Sequence, residues 1–258
     1  MIVIENLAKI LAKIPLDVWN RIVDNEPEKR YMKNFLKLYG FGRFAVLMVA
    51  AGLNDFQLKG KADIAYWPIL KDIIERNKVP SSLKEMNSIL AEFYSKERLA
   101  SLKLDRLNRF LTSTLAKELW TAKPEKVAED FLQIWYNLAA TMRQNKNAKT
   151  IVFAMKCLGI ALIIAGEYNF KVEQIPIPVD YRVRRFTKRL GIDIKTDNDV
   201  RRFWSKILKE LRKYLPINMI HLDSLVWQIG TISKEDIIKY FRDLGVEPVG
   251  KKLVRILA

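Results

Sequence analysis

Residues Thr150–Gly166, TIVFAMKCLGIALIIAG, run for seventeen residues with a single charge, Lys156, and no proline. A helix that is apolar nearly all round must be covered on every side, so this stretch demands a central helix with the rest of the chain packed about it. Seventeen residues with a lysine in the middle is too short and too polar for a membrane span. The segment before it, Gln144–Lys149 (QNKNAK), is a polar turn. The segment after it, EYNFKVEQIPIP, is irregular and ends at Val179-Asp180-Tyr181-Arg182-Val183. Asp180 follows an extended X-Pro segment and opens a basic helical pattern, which makes it an N-cap whose carboxylate accepts backbone N–H bonds.

Two residues on these flanks carry chemistry. Lys149 falls in the first turn of the central helix, where exposed N–H groups disfavour a protonated amine and favour the neutral, nucleophilic form. Asp180 supplies a carboxylate from the return loop. On a helix starting near Ala148, Lys149, Phe153 and Lys156 share one face. Phe153 suits either core packing or stacking on a planar ligand one turn from the amine. Lys156, inside an apolar helix, needs a partner or an exit to solvent; Asp223 in HLDSLVWQIG is the partner considered, snorkelling the alternative.

The remaining chain is helical in its periodicity, with few alternating strand patterns, so the fold class is all-α. Helices are expected over Ile4–Ile14, Asp17–Val23, Pro27–Leu38, Arg43–Asn54 and Ala62–Asn77. Others start at Ser82 as N-cap and run, in several pieces, to Leu119, and one continuous helix runs from Pro124 through Ala140. Beyond Asp180 come Tyr181–Leu190, Asn198–Leu215, His221–Ile229 and Ser233–Leu244. No repeat, low-complexity tract or clear linker interrupts the chain.

The net charge of +16 with pI about 9.8 implies a polyanionic partner, nucleic acid before an anionic membrane surface. Basic residues bracket the candidate chemistry: Arg143 and Lys146 at the turn, Arg182, Arg184 and Arg185 after Asp180. One cysteine, Cys157, and one histidine, His221, exclude an intramolecular disulfide, a Cys-ligated zinc site and an iron–sulfur cluster. Neither residue sits in a nucleophile motif, and Cys157 reads as a small buried apolar side chain. No secretory signal or lipidation motif is visible, so a cytoplasmic, nucleoid-associated protein is expected.

Lys149-Thr150, the apolar helix and Pro178-Val179-Asp180-Tyr181-Arg182-Val183 together resemble the signature of the helix–hairpin–helix DNA glycosylase superfamily, over roughly Phe44 to Gly230. In that superfamily a lysine ends the hairpin and a downstream V-D-x-H-V supplies an aspartate. Here the hairpin reads MRQNKNAK without the usual glycines, and Asp180 lies 31 residues after Lys149. Both departures, with HLDSLVWQIG, look like the archaeal 8-oxoguanine DNA glycosylase branch. The resemblance implies two lobes: a central one over about 60–150, and a second built from 1–59 and 150–258, with the hairpin near 144–149 and the active site in the cleft between lobes. It implies excision of 8-oxoguanine through a Schiff base on Lys149, Asp180 stabilising positive charge on the sugar, then β-elimination. Phe153, Lys156, Asp223, Trp227, Gln57 and Trp67 would line the base pocket. No metal or organic cofactor is implied. The expected partner is double-stranded DNA carrying 8-oxoguanine, with single strands as an alternative substrate, and the expected state is a monomer off the membrane. A glycosylase for another lesion and a non-enzymatic helical DNA-binding protein are the competing readings.

Overall fold

The computed structural model describes residues 2–258. Every regular element among them is helical. In chain order these are α1 (Ile2–Leu11), α2 (Leu16–Asp24), α3 (Pro27–Met32), α4 (Phe35–Tyr39) and α5 (Phe41–Asn54). A π-helical turn (Ala62–Tyr66) runs into α6 (Trp67–Arg76), followed by α7 (Leu83–Tyr94), α8 (Ala100–Leu111), α9 (Thr114–Thr121), α10 (Pro124–Glu129), α11 (Phe131–Met142) and α12 (Lys149–Ile164). The chain ends with α13 (Tyr181–Arg189), α14 (Asp197–Leu211), α15 (Met219–Ile229), α16 (Lys234–Asp243) and α17 (Glu247–Arg255). No helix among the described residues is long and apolar enough to cross a membrane.

Two expected helices are each broken in two. Pro27–Leu38 is interrupted at Lys33-Asn34, and Pro124–Ala140 at Asp130. Asp130 leaves the helical conformation there (φ −87°, ψ 7°), and its carboxylate is held by Lys126 at 3.1 Å. The expected helix Ala62–Asn77 opens with a π-helical turn before α6, and α17 is an addition that periodicity does not reveal.

The chain divides into two compact units, Glu26–Gln174 and Met1–Asn25 with Ile175–Ala258. These boundaries differ from a division near 60 and 150. The reason is the contact of α5 with α12, which keeps both helices in the first unit alongside α8, α9 and α11. Gly52 makes that contact possible: a Cβ there would lie 2.7 Å from Ala154 Cα and 2.9 Å from Cys157 Sγ. The helix α12 is buried without interruption from Ile151 to Leu162, as its apolar composition requires. Cys157 is part of this core, and burial pushes its thiol well above the ordinary range, which leaves it inert.

The other unit has its own core. Leu7, Trp19 and Ile22 from the N-terminal helices pack with Phe186, Trp204, Leu225 and Phe241. Phe186 and Trp204 stack with centroids 6.1 Å apart, and Trp204 Nε1 donates to Thr187 Oγ1 at 2.9 Å. A Cβ on Gly230 would lie 2.7 Å from Arg182 O, so glycine lets α13 and α15 approach closely.

Candidate active site

The turn joining α11 to α12 has no glycine, yet it closes as a helix C-terminus usually does with one. Arg143 takes the left-handed conformation (φ 52°). Its N–H bonds Ala140 O at 3.0 Å and that of Gln144 bonds Ala139 O at 3.0 Å. This is the Schellman pattern, with arginine in the position glycine normally fills. Asn145 Oδ1 then accepts the Asn147 N–H at 2.8 Å, an Asx turn that redirects the chain into α12. Trp135 Nε1 donates to Lys146 O at 2.8 Å, and the Lys146 ammonium lies over Trp135 and Tyr136, 4.8 Å and 4.3 Å from their centroids. Polar side chains and aromatic packing thus replace the missing glycines.

Lys149 is the first residue of α12 and is half-buried. Its Nζ donates to Asp55 O at 2.5 Å and lies 3.6 Å from Asp55 Oδ1. It also sits over the Phe153 ring, 4.8 Å from the centroid. Asp55 is the residue just after α5, and its Oδ2 accepts the Trp67 indole N–H at 3.2 Å. Trp67 itself is fully buried, edge-on to Tyr66. Tyr66 closes the π-helical turn and Trp67 opens α6, and both side chains are fully buried. From α8, Arg106 donates to Leu53 O at 2.9 Å and to Thr150 Oγ1 at 3.0 Å, tying the end of α5 to the start of α12. Burial, and then the neighbouring Arg109, push the Arg106 guanidinium down to about 10, so it stays a cation at neutral pH.

Phe153 has a lysine on either side of the same helix face: Lys156 Nζ is 5.5 Å from its ring centroid. Lys156 does not snorkel to solvent: its side chain is buried. Its ammonium pairs with Glu26 Oε2 at 2.5 Å and lies 3.1 Å from Glu28 Oε1. These glutamates flank Pro27 at the start of α3, and all three side chains are buried. Two carboxylates cannot both ionise against one ammonium at such depth. Desolvation, partly offset by Lys156, together with repulsion from Glu26, pushes Glu28 up to about 8. At neutral pH Glu28 therefore keeps its proton.

The other unit carries Asp180, Asp223 and Trp227. Asp180 caps α13 as its sequence context predicts, Oδ1 accepting the Val183 N–H at 2.9 Å. Asp223 is buried on α15, and Trp227, one turn on, is half-buried. The Arg182 guanidinium stacks over the Trp227 ring, 3.9 Å from its centroid, so one indole face is covered by a cation. Arg184 is engaged by Asp197, whereas Arg185 is exposed, within 3.3 Å of the Tyr181 hydroxyl.

The structure thus brings together Lys149, Phe153, Lys156 and Trp67 in one unit, and Asp180, Arg182, Asp223 and Trp227 in the other. Gln57 is exposed, in a left-handed conformation (φ 46°). The sequence reading missed Asp55, Glu26, Glu28 and Arg106. Asp55 is signalled only by a charged residue directly abutting an apolar helix. The glutamates look like ordinary first-turn acids.

Comparison with known proteins follows the same lines. Residues 8–253 match the model of the AGOG family, described as N-glycosylase/DNA lyase. The N-glycosylase/DNA lyase of Methanopyrus kandleri is 30% identical over 186 residues, 72% of this chain and 72% of that protein. The enzyme of the same name from Thermococcus kodakarensis is 28% identical over 190 residues, 72% of this chain and 67% of that one. Among solved structures, the 8-oxoguanine DNA glycosylase of Pyrobaculum aerophilum, complexed with 8-oxoguanosine, superposes with a TM-score of 0.74. That match covers 98% of this chain and 95% of the other at 20% identity, and it shows a shared all-helical fold. With nearly the whole chain matched to one family, the protein belongs to the AGOG N-glycosylase/DNA lyases.

Proposed function

We propose that this N-glycosylase/DNA lyase excises 8-oxoguanine, with Lys149 as nucleophile and Asp180 as the carboxylate that stabilises charge on the sugar. The observation that carries the reading is the placement of Lys149: an amine at the positive end of a buried helix, held at Asp55 and lying over an aromatic ring. Chemistry on a base in duplex DNA requires the nucleotide to be extruded first. Lys149 Nζ then attacks C1′ as the C1′–N9 bond breaks and the base leaves with its electron pair. Ring opening gives a Schiff base, from which β-elimination nicks the strand. Asp180 opposes the positive charge that develops on the sugar. Phe153 and Trp227 offer aromatic faces to the flipped base. Oxidised guanine carries an N7–H where guanine has an acceptor, so a pocket acceptor facing N7 leaves guanine with an unmade bond costing roughly 1–3 kcal/mol. The protein acts on double-stranded DNA as a monomer in the cytoplasm. The precedent for 8-oxoguanine is the ligand of the Pyrobaculum aerophilum enzyme.

Single-turnover base release over a panel of lesion duplexes tests the proposal, with Asp180→Asn alongside the native protein. Asparagine caps a helix as well as aspartate but carries no charge. Release is expected to be fastest from 8-oxoguanine, and Asp180→Asn is expected to slow it by ~10²–10³ with near-native melting. Faster release of an alkylated or mismatched base would move the substrate assignment to that lesion. Native rates in Asp180→Asn would leave that carboxylate as a cap only.

A further inference from the structure

We propose that Asp55 is a positioning residue for the lyase reaction, holding the Lys149 amine in place through both its backbone carbonyl and its carboxylate, with the Trp67 indole fixing that carboxylate. The inference rests on Lys149 being the nucleophile. Three observations support it, all within one compact unit. The Lys149 amine meets two acceptors of the same residue, Asp55 O at 2.5 Å and Asp55 Oδ1 at 3.6 Å. The other carboxylate oxygen of Asp55 is occupied by Trp67 Nε1 at 3.2 Å, so the side chain is anchored from behind. Asp55 is 7% exposed and Trp67 0%, which places the anchor in dry protein where a polar contact holds its geometry.

A lysine side chain has four rotatable bonds, and an unrestrained amine sweeps a wide volume. Gripping Nζ between a carbonyl, a carboxylate and the Phe153 face confines it before substrate arrives, which raises the frequency of attack geometries. The arrangement also gives α5 a direct role. Its last turn is held by α8 through Arg106 to Leu53 O and through Asn54 Nδ2 to Lys103 O at 3.2 Å. The loop that presents Asp55 therefore cannot drift relative to the start of α12. Trp67 acquires a function as well: its indole N–H orients the Asp55 carboxylate.

The test uses full-length Asp55→Asn, Trp67→Phe and the double variant, with Lys149→Gln as reference. Asparagine is isosteric and still accepts from the indole, so melting and affinity for an 8-oxoguanine duplex should stay near native. Single-turnover base release at saturating enzyme should slow by at least ~10-fold. Trp67→Phe keeps an aromatic ring but removes the N–H; it should slow release too, and add little in the Asp55→Asn background because both act through one carboxylate. Native release rates in Asp55→Asn would overturn the proposal. So would a rate loss accompanied by equal losses of melting temperature and affinity, the mark of a structural role. Should Asp55→Asn fail to fold, Trp67→Phe decides alone: a native rate overturns the proposal. Lys149→Gln separates the two levels. If it still forms a borohydride-trapped adduct, the nucleophile reading fails; if it does not while Asp55→Asn is native, only the role of Asp55 fails.

Discussion

At the scale of single residues, the buried cluster of Lys156, Glu26 and Glu28 has the clearest consequence for stability. Glu28 titrates at about 8 in the folded protein and near the ordinary 4.5 when unfolded. Between those two pH values the native state holds a proton that the unfolded chain has released. Stability from this group is therefore complete below 4.5 and falls as pH rises towards about 8. Glu28→Gln removes the titration, so denaturant melts of the variant should show a flatter dependence over this window. The variant should gain on the native protein as pH approaches 8. A native-like slope in Glu28→Gln would mean that Glu28 is ionised throughout. Removing Lys156 instead strands a buried carboxylate, a change that typically costs 3–5 kcal/mol.

At the scale of elements, α13 and the α11–α12 turn are the basic segments adjoining Asp180 and Lys149, and their arginines are not equivalent. Arg182 is committed to Trp227 and Arg184 to Asp197, whereas Arg185 and Arg143 are exposed. Each phosphate neutralised contributes about −0.9 to the log–log slope of affinity against salt. Arg185→Ala should flatten the slope by about one unit and Arg184→Ala by less, as read from binding titrations at several salt concentrations. Equal slopes for all three proteins would mean that this face of α13 does not meet DNA. The elements also show what the sequence could and could not reveal. The helix α12 was legible from composition, because nothing else accommodates so long an apolar run. Asp180 was legible because an X-Pro segment before a basic helix leaves only one N-cap. The turn before α12 was not: its closure depends on Arg143 adopting a glycine-like conformation, supported by Trp135 bonding Lys146 O, which no local pattern encodes. Nor was the pairing of Lys156 with Glu26, which lies 130 residues away in the chain and meets it only because α3 packs on α12.

At the scale of the whole molecule, the chain is an all-helical N-glycosylase/DNA lyase built from two compact units, with Lys149 on one and Asp180 on the other. The charge of +16 draws the protein to DNA without regard to sequence, so lesion recognition must come from the base pocket. In the proposed reaction Lys149 becomes covalently joined to the sugar of the damaged nucleotide. Incubation of the native protein with an 8-oxoguanine duplex and borohydride should yield a stable protein–DNA adduct, and peptide mapping should place the link on Lys149. Lys149→Gln should yield none while still binding the duplex. Base release by the native protein without any adduct, or an adduct that persists in Lys149→Gln, would contradict the account.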